Sequence, residues 1–363
     1  MPRIRDLLIA LLALGAAGVR GAVEPASNAE AVAWMPIATI QTCLGLNNVE
    51  RLTDGIAFFN DTHSLRLFAG RRTASLDGVG IWLQVPPRDA ATNDLRDVSR
   101  ADFVTLLQPI LLATAAPPAH PRIVLDAGHG GEDTGARSLA PPVREKDISL
   151  DIVCHVAAIL TNAGQQVLLT RATDTYETPG DRARYAAARH AQLFISIHAN
   201  SSPSNSLAAG AETYILPSPG FPGTGEFVHG PTNACPGNRF DPDNALLGFS
   251  LHRRYAPLTA ADRGLKRGRY FVLKEAPCPA VLVECGFLTN TNDAARLADA
   301  AYRQKLAEAI AAGILDYLSL ASHPPAATNG LCATSAIATS SACTNTHAAA
   351  ENHKTAEQKS VDY

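Results

Sequence analysis

The sequence predicts an α/β fold: a three-layer, mainly parallel twisted sheet with helices on both faces, plus a small N-terminal α+β domain. From residue 122 onward, short apolar segments alternate with longer segments whose apolar residues recur at helical spacing. Two short segments, "LFISI" and "AVLVE", are almost wholly apolar, which is typical of strands buried on both faces of a parallel sheet. A hydrophobic content of 46% and a charged content of 18% suffice for a packed core.

The first 22 residues predict a signal peptide. Arg3 and Arg5 precede an apolar run from Leu7 to about Val19 that is short for a membrane span, and small residues follow it. We therefore expect a secreted protein of the periplasm or cell envelope; an uncleaved anchor is the alternative. The formal net charge of −3 gives no electrostatic footprint for nucleic acid, so we expect no nucleic-acid partner.

The sequence pattern of residues 32–112 predicts the small N-terminal domain. The stretch "SLRLFAGRRTASLDGVGIWLQVPP" indicates two or three strands with tight turns, and "VSRADFVTLLQPIL" indicates a helix capped by Ser99. This unit loosely resembles the small modules related to the copper amine oxidase N-terminal domain. The resemblance implies envelope association or an activator bound through this domain, but no copper, because His63 is its only histidine.

The remaining chain divides into a linker at 113–121, a larger domain at 122–320 and a tail at 322–363 whose composition is typical of disorder. The predicted strands of the larger domain are Arg122–Leu125, Gln166–Thr170, Leu193–His198, Ala211–Leu216 and Ala280–Glu284. The predicted helices are Glu145–Asn162, Gly180–His190, Asn244–Tyr255 and Ala301–Leu320. The run Lys266, Arg267 and Arg269 is most simply a solvated basic face.

The first strand of the larger domain ends in a glycine-rich loop, "RIVLDAGHGGEDTGA", residues 122–136. A phosphate-binding interpretation fails, because Asp133 occupies the third glycine position of a dinucleotide fingerprint and no helix follows the loop directly. The alternative is that His129 is a metal ligand. In open α/β sheets ligands bind beyond the carboxyl ends of the strands, and His129 lies just past one such end.

Two more predicted strands end in ionisable groups. "LFISIHAN" carries His198 and "AVLVECGF" carries Glu284, while Glu145 begins the helix after the glycine loop. A buried carboxylate must be paired, metal-bound or protonated. Two histidines and a glutamate suffice for one catalytic Zn²⁺ ion with an open position. The hypothesis therefore assigns His129, Glu145 and His198 as zinc ligands and Glu284 as the general base.

Six ordered blocks across residues 122–318 resemble the zinc-dependent N-acetylmuramoyl-L-alanine amidases of the LytC/AmiC type. These blocks are "IVLDAGHGGEDTGA", "REKDISLDI", "LLTR", "DRARYAAARHAQLFISIHAN", "GAETYIL" and "GLKRGRYFVLKEAPCPAVLVECGFLTN". The resemblance implies hydrolysis of the amide between the MurNAc lactyl group and L-Ala of peptidoglycan. Its ligand pattern falls on His129, Glu145 and His198 and its catalytic glutamate on Glu284, in agreement with the strand ends.

Regulated members of that family carry a helical insertion that covers the zinc. The corresponding segment here, residues 217–242, is rich in Gly and Pro without a helical period, so we expect a loop, from which Glu226 or His229 would reach the site only as a minor alternative. Substrate contacts are assigned to Asn200 and Arg182. For Asn200 a turn role is equally compatible, and for Arg182 a pairing with Asp181 or Asp174 is favoured.

Two other functions remain open at this stage. One is a zinc peptidase that cleaves within the stem peptide using the same metal set. The other is a non-catalytic peptidoglycan-binding envelope protein. Intact ligands and an intact Glu284 argue against the second, and the cleavage product alone separates the first from an amidase. Among the cysteines, Cys235 and Cys278 lie in loops and are candidates for a disulfide.

Overall fold

The computed structural model describes residues 32–89, 95–114, 117–118, 120–226 and 230–320. The predicted signal peptide, the tail and part of the predicted linker lie outside the described residues. The strands are β1 Trp34–Pro36, β2 Asn48–Leu52, β3 Gly55–Phe59, β4 Ser64–Phe68, β5 Thr73–Leu76, β6 Val79–Trp82, β7 Arg88–Asp89, β8 Leu95–Ser99, β9 Arg122–Ala127, β10 Arg137–Leu139, β11 Pro142–Arg144, β12 Gln166–Leu169, β13 Leu193–Asn200, β14 Ala211–Ile215, β15 Asp262–Arg267 and β16 Ala280–Phe287.

The α-helices are α1 Ile37–Leu44, α2 Arg100–Asp102, α3 Gln108–Leu112, α4 Glu145–Asn162, α5 Pro179–Ala188, α6 Asp241–Tyr255, α7 Phe271–Lys274, α8 Thr291–Ala298 and α9 Ala300–Ser319. A π-helical turn, Phe103–Leu107, joins α2 to α3. Single 3-10 turns precede and follow α6. The cap predicted at Ser99 is confirmed, because its side chain accepts a hydrogen bond from the Asp102 backbone N–H.

The central sheet has eleven strands in the order β12-β9-β13-β16-β14-β15-β6-β5-β4-β3-β2. Strands β12, β9, β13 and β16 are parallel, β14 runs antiparallel to β16, and β15 is parallel to β14. Strands β6 to β2 form an antiparallel meander. The predicted α/β class is confirmed, and the parallel part is the one that places the carboxyl ends of β9, β13 and β16 side by side.

Helices cover both faces of the parallel strands. Alternate residues of these strands, such as Ile195 and Val283, pack with α4, α6 and α9 in the larger core. The opposite face, with Phe194 and Leu282, packs in a smaller core with α5 and α7. Both cores are dominated by aliphatic side chains, whose burial drives the layers together. At the carboxyl ends of these strands, the side chains in register with Phe194 and Leu282 lie on the same face of the sheet as the smaller core.

Strand β15 joins the N-terminal meander to the parallel strands, through parallel pairing with β6 at Leu265 and Ile81. Its residues Lys266 and Arg267 are 7% and 1% exposed, so the prediction of a solvated basic face is wrong. Arg267 lies 3.8 Å from the buried Asp102, and Lys266 pairs with Glu212. Each cation therefore meets an acid that is distant in sequence, and no local pattern shows this.

Within the described residues, no helix is long and apolar enough to cross a membrane. The thiols of Cys235 and Cys278 are both free, so the candidate disulfide between them is wrong. Cys278 packs in the smaller core, and burial raises its thiol pKa to about 12. A thiol in that environment is an apolar packing group.

Candidate active site

Three neighbouring strands bring the predicted site residues together. Strand β9 pairs with β13 up to Ala127 and Ile197, so the loop that carries His129 begins beside His198. Strand β13 in turn places His198 directly opposite Glu284 of β16. Side chains that lie opposite each other on adjacent strands share one face of the sheet. Helix α4 adds Glu145 at its first position.

The side chains of His129, Glu145 and His198 form the one cluster of potential metal ligands in the described part of the chain, with one ligand atom of each within 4.8 Å of the others. Glu145 Oε1 lies 2.8 Å from His198 Nδ1 and 3.1 Å from His129 Nε2. The buried His129 Nε2 makes no hydrogen bond. A buried ring nitrogen that makes no hydrogen bond and lies close to a carboxylate and a second imidazole fits a metal ion.

The ligands are held by a second layer of contacts. His129 Nδ1 lies 2.7 Å from Asp133 Oδ2, which fixes the ring and leaves Nε2 facing the cluster. Glu145 Oε2 accepts from the backbone N–H of Ala136, and Oε1 accepts from that of Ala199. These contacts orient the side chains of His129 and Glu145.

The electrostatics of the cluster favour an ionised glutamate. Burial opposes the charge on Glu145, but His129 and His198 lower its pKa to about 2. Burial likewise opposes a charged imidazole at His129, yet the carboxylates of Glu145 and Asp133 raise its pKa overall. The cluster is therefore a place where positive charge is stabilised.

Two glycines allow the ligand side chains to lie this close to the loop. A Cβ atom on Gly128 would collide with the His198 ring, and one on Gly135 would lie 2.5 Å from Glu145 Oε2. Gly135 also has a φ of +59°, which side chains rarely adopt. Gly128 and Gly135 thus let the ligands approach one another.

Glu284 stands beside the cluster in a different environment. The side chain is buried, and its Oε2 atom has no hydrogen-bond partner. Burial, reinforced by the negative charges of Glu145 and Glu212, raises the pKa of Glu284 well above its usual range. A buried carboxylate that has a free oxygen and a raised pKa has the properties of a proton acceptor.

On its other side, Glu284 lies opposite Glu212 of the antiparallel strand β14. Glu212 is saturated with partners. Its Oε1 accepts from Arg263 Nε and Lys266 Nζ, and its Oε2 accepts from Asn200 Nδ2 and the Tyr214 hydroxyl. No oxygen of Glu212 is left for a substrate proton.

Comparison with known proteins identifies the domain. Residues 123–316 match the family model Amidase_3, described as N-acetylmuramoyl-L-alanine amidase. This chain belongs to that amidase family. The match covers the strands, helices and loops that form the cluster, and it agrees with the resemblance carried by the six sequence blocks.

Three relatives illustrate the extent of the similarity to the amidase family. The chain is 34% identical over 195 residues to the N-acetylmuramoyl-L-alanine amidase LytC of Bacillus subtilis, covering 54% of this chain but 35% of LytC. It is 33% identical over 219 residues to AmiA of Escherichia coli, covering 54% of this chain and 75% of AmiA. The solved structure of AmiC2 of Nostoc punctiforme is 33% identical, covers 56% of this chain and 98% of that one, and superimposes with a TM-score of 0.47.

The two predicted substrate contacts have different outcomes. Asn200 lies on the rim and is half-buried, with its amide bound to Glu212; its substrate contact stays a prediction. Arg182 is 4% exposed and donates to Asp126 and to the carbonyls of Ala127 and His129. All three of its guanidinium nitrogens are engaged within the fold, which agrees with the structural role that the sequence favoured and does not support a substrate contact. Its acidic partner is Asp126, however, and not Asp181 or Asp174.

Several residues of this amidase site escaped the sequence analysis. The spacing of four residues between His129 and Asp133 is a usable signal for a carboxylate that orients a ligand. Arg171 and Glu212 gave no signal, because partners such as Ser149 and Lys266 lie 22 and 54 residues away in the chain. Their roles follow from contacts that only the folded chain brings together.

The segment after β14 was predicted to be a loop. Its described residues contain no α-helix before α6, which agrees with the prediction. Glu226 accepts from the Gly223 backbone N–H and pairs with Arg269, so it is engaged within the loop and the prediction that it reaches the cluster is not supported. His229 lies outside the described residues.

Proposed function

We propose that this chain is an exported, zinc-dependent N-acetylmuramoyl-L-alanine amidase that cleaves the amide between the MurNAc lactyl group and L-Ala of peptidoglycan. The observation that carries the proposal is that His198 and Glu284 lie opposite each other on adjacent strands, while His129 and the buried Glu145 complete the set of possible metal ligands. Family membership supports the substrate class, and the geometry supports the choice of residues.

The donor set fits zinc. Two imidazoles and one carboxylate, with second-layer partners on His129 and Glu145, make up a three-ligand set of the kind that catalytic zinc sites use. When bound, the ion would polarise the scissile carbonyl and lower the pKa of water. Hard oxygen-only sites for calcium or magnesium have a different composition.

Glu284 carries the proton during hydrolysis. Its free Oε2 accepts a proton from the attacking water, whose oxygen bonds to the lactyl carbonyl carbon. The bond from that carbon to the L-Ala nitrogen then breaks, and Glu284 returns the proton to the departing amine. Water is consumed, one carboxylate and one amine are formed, and Glu284 is regenerated.

Glu212 holds the surroundings of the base in place. Because Lys266 and Arg263 both pair with it, its negative charge next to Glu284 is offset. Asn200 connects this group to the carboxyl end of β13. We assign Asn200 a rim position where the substrate peptide passes, and we assign the N-terminal domain an envelope partner or activator.

Mass spectrometry of purified peptidoglycan incubated with the protein tests the proposal. Free stem peptides that begin at L-Ala, absent with a chelator and restored by Zn²⁺, are the expected products. Cleavage inside the stem would identify a zinc peptidase instead. Retention on peptidoglycan without any released product would identify a binding protein and would remove the catalytic role of Glu284.

A further inference from the structure

The glycine loop that carries His129 has an unusual backbone. His129 has a φ of +59°, and Gly130 and Gly131 follow with φ values of +135° and +58°. A residue other than glycine in this region costs free energy and persists only where its surroundings hold it. The groups that bind this loop must therefore hold its backbone in the left-handed conformation.

Two buried guanidiniums bind three consecutive carbonyls of this loop. Arg171 Nε and Nη2 donate to the carbonyls of Ala127 and Gly128 at 2.9 and 2.8 Å. Arg182 Nη1 and Nη2 donate to those of Ala127 and His129 at 2.5 and 2.8 Å. Both arginines are less than 5% exposed. Loss of these donors from carbonyls in the interior would be costly, although the Gly128 carbonyl would keep its hydrogen bond from Ser149.

The same two side chains connect the loop to other elements of the site. Arg171 Nη2 also donates to the carbonyl of Lys146, the residue after the ligand Glu145. Arg182 Nη1 pairs with Asp126 at 2.7 Å, and its Nε donates to the carbonyl of Glu177. Arg171 therefore spans the gap between the His129 loop and the first turn of α4, so it sets the separation of two ligands.

We propose that Arg171 and Arg182 are positioning residues for the metal, which hold the His129 backbone in its left-handed conformation and fix the His129–Glu145 separation. The inference rests on the proposed metal site. Neither arginine touches the ion or the substrate. Lysine cannot replace them, because a single ammonium cannot reach carbonyls that are spread along a planar guanidinium.

The test is zinc affinity of the purified full chain, measured by competition with a chromophoric chelator, together with thermal unfolding of the metal-free protein. Arg171→Lys and Arg182→Lys are expected to raise the zinc Kd by about 10- to 100-fold, the range found for residues that orient metal ligands. The visible spectrum of the Co²⁺ form should change as well, since it reports ligand geometry.

Arg303→Lys is the matched control. Arg303 also joins one carboxylate, Asp151 of α4, to two backbone carbonyls, those of Leu297 and Ala298, but these hydrogen bonds go neither to the His129 loop nor to a proposed ligand. It is expected to lower the unfolding temperature while leaving the zinc Kd within about twofold of wild type. A comparable loss of zinc affinity in this control would overturn the proposal.

Ser149→Ala provides a milder change if a lysine variant fails to fold. Its hydroxyl donates to the Gly128 carbonyl at 2.8 Å, and Arg171 Nη2 lies 3.2 Å from it. Loss of this hydrogen bond should weaken zinc binding about fivefold. An unchanged zinc Kd in every variant that folds would show that the arginines only stabilise the fold. No zinc binding by the wild-type chain would instead overturn the proposed function itself.

Discussion

Glu284 and Glu212 are two carboxylates that lie opposite each other on adjacent strands, yet their surroundings differ completely. Glu212 has four hydrogen-bond donors from four residues. Glu284 Oε2 has none. Burial raises the pKa of Glu284, whereas at Glu212 the neighbouring Lys266 and Arg263 outweigh burial and lower the pKa. The partners of a buried glutamate therefore decide its chemistry.

Removal of the metal should reduce amidase activity most strongly, although it leaves both carboxylates intact. Amidase activity on purified peptidoglycan should fall to background after chelation and return when Zn²⁺ is added, because neither glutamate alone polarises the scissile carbonyl. Release of peptides that begin at L-Ala is the measurement. Full activity in the chelated protein, with metal content verified as nil, would contradict the zinc assignment.

Glu284→Gln should lower the rate of L-Ala peptide release by at least about 100-fold, the usual scale for a general acid–base group. Zinc binding should persist, since His129, Glu145 and His198 are unchanged. The matched control is Glu308→Gln, an exposed position on α9, which should retain full activity. Turnover near wild type in Glu284→Gln would remove Glu284 from the proton-transfer role and would abolish the contrast with Glu212.

The sequence predicted the half of the site that contains Glu284 and missed the half that contains Glu212. His198 and Glu284 each end a run of apolar residues, so a polar group at the end of the run stands out. Helix α4 was predicted with its exact bounds because its apolar stripe is long and its first residue is a ligand candidate.

Strand β15 gave no such signal. Its sequence "DRGLKR" is mostly charged, and charged residues are usually solvated. Its Lys266 and Arg267 are buried because they meet Glu212 and Asp102, two acids that come from distant segments of the chain. Burial of a charged strand depends on tertiary pairing, which periodicity in one segment does not encode. The acidic partner of Arg182, which is Asp126, was missed for the same reason.

Glu212→Gln should lower the free energy of unfolding, which tests the role of the Glu212 ion pairs. Removing one partner of a buried ion pair typically costs about 3–5 kcal/mol, because Lys266 stays buried without its counter-charge. The free energy of unfolding in urea is the measurement. The double variant Glu212→Gln/Lys266→Met should recover part of the loss, since the uncompensated charge is removed. Equal stability of the single and double variants would show that the pair is not energetically coupled.

The contribution of Glu212 to stability should also depend on pH, and this is a smaller effect. The folded-state pKa of Glu212 is lowered despite burial, because Lys266, Arg263 and Tyr214 favour its ionised form. Its contribution to stability is therefore fully present above the ordinary glutamate pKa of about 4.3 and is lost as the pH falls through the lower, folded-state value. The difference in unfolding free energy between wild type and Glu212→Gln should be constant from pH 7 to about pH 5 and should shrink below about pH 4.3. A difference that instead grows as the pH falls would mean that Glu212 is protonated in the folded protein, and the contrast with Glu284 would then be lost.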